Sequence, residues 1–512
     1  MDNGKQAPVR PGKVYLIGAG PGDPTLITVK GMELLKRAEV VVYDYLATPK
    51  LLKFAPKDAQ FVYVGKKGNV HHAHTQEEIN QMLVDHARAG RNVVRLKGGD
   101  PFIFGRGGEE IEELCKYDIS FEVVPGVTSA TAAATYAGVP ITHREYTSSL
   151  AFITGHEDPT KGTSNVAWDK ISTGIGTLVF YMGIKNLPSI AENLIKNGRD
   201  PKTPVVVVRW ASTPIQRSVV GTIETIAEVV NEAGITPPAL VVVGDVVKLR
   251  DKINWFEKRP LFNKRILVTR TREQASDLVR LLEDQGADCV EGATIAMEPP
   301  DSWDELDAAL ARINDYQWIA FTSINAIRYF FSRLEEKGMD SRDLKGPKVA
   351  AVGIATAKVL REYGVRADLV PDEYTGDGLA ASMVAQGVKG AKVLIPRAKK
   401  AREILPETLR ENGAEVDVVT VYQNVQPKDY DMVREELAAG EIDMVTFTSS
   451  STVTNFLEML GNDREKLLAG VKCAAIGPIT AKTAVENGLV VDVQPPTYTI
   501  PALVDAIVDS YS

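Results

Sequence analysis

The chain has 512 residues, 44% of them hydrophobic and 25% charged, with a formal net charge of −8. That balance is ordinary for soluble globular protein, and the length predicts two to four domains. An acidic chain excludes non-specific nucleic-acid binding, which needs a basic surface, but leaves room for an anionic substrate in a local basic pocket.

The first residues, MDNGKQAPVRPGK, lack the apolar core of a signal peptide. The longest apolar runs, such as PVVVV and PALVVVG, are too short to cross a bilayer and suit buried parallel strands. No membrane partner is expected. From residue 14, VYLIGAGPGDP predicts a strand and a loop. ITVKGMELLKRAE predicts an amphipathic helix and VVVYDYL a second strand. VHHAHT, at 70–75, reads as a polar surface loop, because no Cys, Asp or Glu flanks it at metal-ligand spacing. TQEEINQMLVDHARAG opens with a cap and an acidic first turn, so it predicts a helix. NVVRL then leads into KGGDPFIFGRGG, at 97–108, where five glycines crowd into twelve positions. Such bare backbone after a strand suits a ligand-holding loop better than a purely structural one. The alternation implies an α/β fold with a mostly parallel sheet.

Two nucleotide readings fail. GAGPGD, at 18–23, puts Asp23 where a dinucleotide loop needs its third glycine, and Pro21 removes a donor. No G-x-x-x-x-G-K-[ST] occurs, which excludes P-loop chemistry. The texture changes near residue 258, after ITPPALVVVGDVV and a charged, aromatic stretch. RILVTRTREQASDLVRLLEDQGA then restarts with a fresh strand and helix. The second half repeats itself. WIAFTSINAIRYFFSRLEEKG resembles MVTFTSSSTVTNFLEMLGND, and KVAAVGIATAKVLREYGV resembles KCAAIGPITAKTAVENGL. Two similar lobes facing each other are expected, with a ligand cleft between them. All six histidines lie between His71 and His156, so chemistry in the second half must do without imidazole. Cys115, Cys289 and Cys473 are scattered, with neither disulfide nor metal spacing. This points to the cytoplasm and to no metal site.

The two glycine loops occur in order with VVPGVTSA, GVPITHR, VFYMG and RWASTPIQR. Together they closely resemble the tetrapyrrole methyltransferases, and among them the uroporphyrinogen-III C-methyltransferases, over residues 12–257. The resemblance implies two α/β subdomains with S-adenosylmethionine bound between them. It implies a donor site of Pro21, Gly98, Gly99, Asp100, Ile103, Thr128, Ser129, Met182 and Ala211. It also implies a proton acceptor at Asp44 and a proton donor at Lys66. Read alone, these are a strand-end carboxylate and a solvated charge. Lys67, Arg106 and Arg144 are candidates for the substrate's carboxylates, against the plainer reading of surface charge. A homodimer through this half is implied as well.

The second half, 262–512, resembles the uroporphyrinogen-III synthases through VLIPRAKKAREILPETLRENGAEVDVVTVYQN and the paired FTS, VG and IG turns. The resemblance implies a bilobal α/β fold with discontinuous lobes, 262–298 plus 425–512 and 300–423. Thr322, Ser323, Gly353, Thr448, Ser449, Ser450 and Gly477 become candidates for gripping carboxylates, and Arg397 as well, against the plainer reading of a charge that solvates a strand end. Tyr422 matches a tyrosine the family associates with activity, against an equal reading as a strand-end aromatic. The expectation for the whole is a bifunctional enzyme of siroheme and cobalamin precursor synthesis. It would cyclise hydroxymethylbilane to uroporphyrinogen III with inversion of ring D, then methylate that product twice to precorrin-2. The alternative is a methyltransferase whose second half is a non-catalytic tetrapyrrole sensor.

Overall fold

The computed structural model describes residues 10–65, 74–156, 166–269, 272–292, 296–425 and 430–512. Lys66, Lys67, His71 and His72 lie outside the described residues. The chain divides into two compact units. One is Met1–Ile266 with Arg280–Cys289 and Ile507–Ser512; the other is Leu267–Val279 with Val290–Ala506.

The first sheet holds β1 (Val14–Gly18), β2 (Val40–Tyr43), β3 (Gln60–Tyr63), β4 (Val93–Lys97) and β5 (Phe121–Val124) in the order β3-β2-β4-β1-β5. Every pairing is parallel. Buried on both faces, its central strands are Val/Ile/Leu-rich, and Val14, Leu16, Ile17 and Val40 are fully buried. Between the strands run α1 (Val29–Leu35), α2 (Gln76–Arg88) and α3 (Gly107–Lys116); α4 (Ser129–Tyr136) follows β5. The cap predicted at Thr75 is present. Thr75 Oγ1 accepts from Glu78 N at 3.2 Å, and Glu78 Oε2 accepts from Thr75 N at 2.9 Å.

The second sheet holds β6 (Leu150–Thr154), β7 (Thr177–Tyr181), β8 (Pro204–Arg209), β9 (Arg217–Thr222) and β10 (Ala239–Val243), ordered β6-β7-β10-β8-β9. Only β6 and β7 pair parallel; the other three pairings are antiparallel. This corrects the expectation of a mostly parallel sheet in this region. The short connection from Arg209 to Arg217 leaves no room for a crossover helix, so β9 must return alongside β8.

Beyond residue 260 come β11 (Arg265–Val268), β12 (Asp288–Glu291), β13 (Ala296–Glu298), β14 (Trp318–Phe321), β15 (Lys348–Ala351), β16 (Lys392–Ala398), β17 (Glu415–Val425), β18 (Met444–Phe447) and β19 (Lys472–Ala475). They form a four-stranded sheet, β12-β11-β18-β19, and a five-stranded one, β13-β17-β16-β14-β15. The first is assembled from distant chain segments. Thr269 Oγ1 donates to the carbonyl of Thr446, 177 residues later, at 2.7 Å. Residues 296–298, expected with the first lobe, instead pair antiparallel with β17.

The repeat is real at the level of single hydrogen bonds. α5 (Ile324–Glu336) follows β14 and α6 (Ile354–Glu362) follows β15; α7 (Ser450–Leu460) and α8 (Pro478–Glu486) follow β18 and β19. Asp368 Oδ2 accepts from Val349 N in one copy, and Asp492 Oδ2 accepts from Cys473 N in the other, both at 2.7 Å. Parallel bridges Ala350–Leu369 and Ala474–Val493 match likewise.

Cys115 is exposed, whereas Cys289 and Cys473 are buried, and burial pushes the Cys473 thiol up to about 12. A thiol reagent at pH 8 is therefore expected to titrate one cysteine quickly in the native protein and three after denaturation. Two fast thiols in the native protein would mean that a buried strand opens readily.

Candidate active site

A pocket of about 390 Å³ opens in the first unit. The loop after β1 supplies Gly20 and Pro21, the loop after β2 supplies Leu46, and the loop after β4 supplies Gly98 and Gly99. Ser129 enters from the start of α4. The second sheet closes the pocket with Tyr181, Met182, Trp210, Ala211 and Leu240.

The glycines have separate tasks. Gly20 and Gly99 bond each other's backbone, with Gly99 N donating to Gly20 O at 2.7 Å. Gly99 sits at φ +69, and a Cβ there would meet nothing closer than 3.6 Å, so it leaves an open cradle. A Cβ on Gly98 would stand 2.5 Å from that of Leu46. Gly105 and Gly107 instead let the loop fold onto its own Pro101 carbonyl, at 2.8 and 2.5 Å from a Cβ at each. Two of the five glycines thus serve the loop itself, and of the five only Gly98 and Gly99 line the pocket.

Six of the nine expected donor-site residues, Pro21, Gly98, Gly99, Ser129, Met182 and Ala211, line this one cavity. The other three do not line it. Asp100 is engaged by the protein: Oδ1 accepts from Phe102 N at 2.8 Å and Oδ2 from Gly126 N at 3.0 Å. The hydroxyl of Thr128 lies 2.6 Å from that of Tyr181, which also accepts from Ala130 N. Burial pushes the Tyr181 hydroxyl up, which keeps it neutral. Ile103 packs, half-buried, against the core beside the pocket. Met182 is 52% exposed, so it does not fill core. Met182 and Trp210 both adopt positive φ, 53° and 51°, a backbone cost of about 1–3 kcal/mol each that clusters on the pocket wall. Tyr181, Trp210, Leu240, His156 and Lys185 escaped the sequence reading. The motifs VFYMG and RWASTPIQR contain the first two, beside the residues that were named.

Asp44 follows β2, two residues before Leu46. Its Oδ1 accepts from Leu46 N at 3.0 Å, and its Oδ2 is 3.2 Å from the guanidinium of Arg95. Arg106 is paired with Glu109, and Arg144 is exposed. Asp23 caps the turn at Pro24–Leu26, accepting from Thr25 N at 2.8 Å.

In the second unit the candidate hydroxyls are largely engaged. Ser323 Oγ accepts from Ala326 N at 3.0 Å, and Ser449 makes a capping box with Thr452. Ser450 Oγ accepts from Thr483 Oγ1 at 2.8 Å. Thr322 and Thr448 directly follow β14 and β18, beside these caps. Arg397 is held by Glu403 at 2.5 Å and by the carbonyl of Arg402. Tyr422 is buried, stacked on Tyr329 at 5.6 Å, with its hydroxyl 3.3 Å from Ser323 Oγ. Gly353 and Gly477 occupy equivalent places before α6 and α8. A Cβ on either would press on an exposed tyrosine side chain, Tyr374 at 3.2 Å and Tyr498 at 3.1 Å. These tyrosines were not singled out from sequence, although the YT pairs at 374–375 and 498–499 fall at matching points of the repeat.

Residues 13–227 match the family Tetrapyrrole (Corrin/Porphyrin) Methylases, and residues 276–505 match Uroporphyrinogen-III synthase HemD. The chain is 40% identical over 479 residues to a porphyrin biosynthesis protein HemD of Ruminiclostridium josui, covering 93% of this chain and 94% of that protein. It is 45% identical over 340 residues to a uroporphyrinogen-III C-methyltransferase of Bacillus subtilis, covering 66% and 69%. Among solved structures, a Thermus thermophilus uroporphyrin-III C-methyl transferase complexed with S-adenyl homocysteine is 44% identical, covering 46% of this chain and 100% of that one, with a TM-score of 0.40.

Proposed function

The chain belongs to the tetrapyrrole methylases through its first half and to the uroporphyrinogen-III synthases through its second, and from this we propose that it performs two consecutive steps on one substrate. The second half, 262–512, closes hydroxymethylbilane into uroporphyrinogen III, inverting the last pyrrole with loss of water. The first half, 12–257, methylates that product twice to precorrin-2. What supports the pairing most is the Ruminiclostridium josui relative, whose similarity covers 93% of this chain and so spans both halves.

The donor in this reading is S-adenosylmethionine, which supplies an electrophilic methyl group when bound. The pocket suits it. Its volume falls in the range of about 300–1,000 Å³ common for small-molecule sites. Its walls are chiefly apolar, as adenine requires, and the backbone of Gly98 offers hydrogen-bonding groups, that of Gly99 being engaged with Gly20. Gly99 leaves open space that a side chain would fill. Ser129 and the strained Met182 hold the reactive end in place, and positioning is the main demand of such a transfer. Asp44 takes the proton that the methylated carbon must lose, and Arg95 fixes its orientation. Lys66 is assigned the donor role. Arg106 and Arg144 meet substrate carboxylates, Arg106 by exchanging Glu109 for one of them.

In the second half the electron-rich pyrroles drive departure of the hydroxyl. The protein holds the linear tetrapyrrole in the inverting geometry. Because the hydroxyls of Ser323, Ser449 and Ser450 are engaged, the backbone N–H groups of these turns are the better carboxylate contacts. Arg397 and Tyr422 act from behind, by fixing local structure. The enzyme works in the cytoplasm as a homodimer through its methyltransferase half; no helix among the described residues is long and apolar enough to cross a membrane.

The deciding assay is anaerobic incubation of the purified chain with hydroxymethylbilane, with and without S-adenosylmethionine, resolving isomers and masses of the oxidised products. Type III isomer without the donor, and a doubly methylated product with it, are expected. Type I isomer alone, which forms spontaneously, would make the second half a sensor and not a synthase.

A further inference from the structure

Strand β4 carries two cations into the protein interior. Arg95 and Lys97 are two residues apart, so their side chains leave the same face of the sheet, and only 3% and 4% of their surface is exposed. Glu110, on α3, is fully buried and meets both. Its Oε1 accepts from Arg95 Nε at 3.2 Å and from Lys97 Nζ at 2.6 Å, and Gln76 Nε2 on α2 adds a contact at 3.3 Å. The other end of the Arg95 guanidinium reaches Asp44 at 3.2 Å. Two cations and two carboxylates thus form one chain of contacts that ends at Asp44, two residues before the pocket-lining Leu46, and sums to zero charge. A buried ion cluster is a poor way to gain stability, because desolvation offsets the attraction. Its place between the core and Asp44 suits a functional role.

We infer that Glu110 is a positioning residue for methyl transfer, setting through Arg95 and Lys97 the orientation and charge with which Asp44 meets the substrate. The inference rests on the reading of Asp44 as proton acceptor. Among the described residues, the charged and titratable groups facing Asp44 are Arg95 and Lys97 from β4 and Tyr63 from β3; its chain neighbours Tyr43 and Tyr45 act on Tyr63. Those facing Glu110 are Arg95, Lys97 and Arg106. Burial already holds the Lys97 ammonium below the usual lysine range, with Arg95 adding to the effect. A change of one charge in this enclosed set is therefore felt at Asp44.

The test is the pH profile of methyl transfer in the full chain, with uroporphyrinogen III and S-adenosylmethionine as probes. Glu110→Gln keeps an acceptor for Arg95 but removes the negative charge. Asp44 then faces excess positive charge, its carboxylate is favoured, and the acid limb moves down by about one pH unit. The weaker base lowers kcat about tenfold, with KM for the donor unchanged. Lys97→Met removes a cation and moves the limb up. The double variant E110Q/K97M restores neutrality and returns the limb to its starting place. If Glu110→Gln does not fold, Lys97→Met and the double variant still decide. Folded variants whose limbs coincide with the parent, or move in the same direction, overturn the inference. Asp44→Asn separates the two levels. An Asp44→Asn chain that keeps the parental rate and limb refutes the proton-acceptor reading. An inactive Asp44→Asn chain beside unmoved limbs refutes the role of Glu110 alone.

Discussion

Replacing Asp44 with asparagine is expected to slow methyl transfer about a thousandfold, within the range a positioned proton acceptor contributes, while leaving the cyclisation of hydroxymethylbilane untouched. The substitution is nearly isosteric. The amide oxygen can still accept from Leu46 N, so the turn after β2 survives. What disappears is the charge beside Arg95, which stays paired with Glu110 through its Nε. The donor pocket is lined by other residues, so affinity for S-adenosylmethionine should change little. The second activity, measured on the same sample, is an internal control for folding. A methyl-transfer rate within tenfold of the parent would remove Asp44 from the chemistry and leave it a strand-end carboxylate.

Gly126→Ala is expected to have the second large effect, through packing alone. Gly126 lies where the end of β1, the loop after β4 and the approach to α4 meet. Its Cβ would stand 2.2 Å from the carbonyl oxygen of Gly99 and 2.8 Å from the Cα of Gly18. Both obstacles are backbone, so no rotamer change relieves them. The loop carrying Gly98 and Gly99 must shift, and the hydrogen bond from Gly126 N to Asp100 is strained with it. Overpacking of this kind costs roughly 1–3 kcal/mol or more. Binding of the donor, followed by calorimetry, should weaken at least about tenfold, since that equals roughly 1.4 kcal/mol, and the melting temperature should fall. Gly108→Ala, a few residues along the same glycine loop from Gly98 and Gly99, is the matched control. A Cβ there meets nothing within 4 Å, so both readings should stay at parental values. Equal behaviour of the two variants would show that the close contact is not what shapes the pocket.

The sequence revealed more of the architecture than of the site. Apolar runs and capped helices mark the alternation in the first half because burial and capping act locally. Thr75 and Glu78 are three residues apart and form the expected box. The antiparallel return of β9 and β10 depends on connection geometry, which periodicity does not report. In the glycine loop the sequence hides the division of labour among the residues. Asp100 answers to Gly126, and Gly105 and Gly107 to Pro101, through contacts that only tertiary folding creates. The Arg95–Lys97–Glu110 cluster left a signal that was passed over. Two cations at alternate positions of an otherwise apolar strand demand a buried counter-charge, because such side chains are almost never fully buried unpaired. In the second half, the hydroxyls of Ser323 and Ser449 cap helices, as serine at that position most often does.

The pairing of β11 with β18 has a consequence for the birth of the protein. The Thr269–Thr446 contact joins residues 177 apart, and ribosomes add about 5–20 residues each second, so one edge of β11 waits roughly 10–35 s for its partner. In that interval every strand of the five-stranded sheet, β13 to β17, has already been made. The nascent chain thus holds an apolar strand, Ile266 to Val268, open beside a completed neighbour. The nascent chain is then most exposed to aggregation and to chaperone capture, and a slowed ribosome would lengthen the wait.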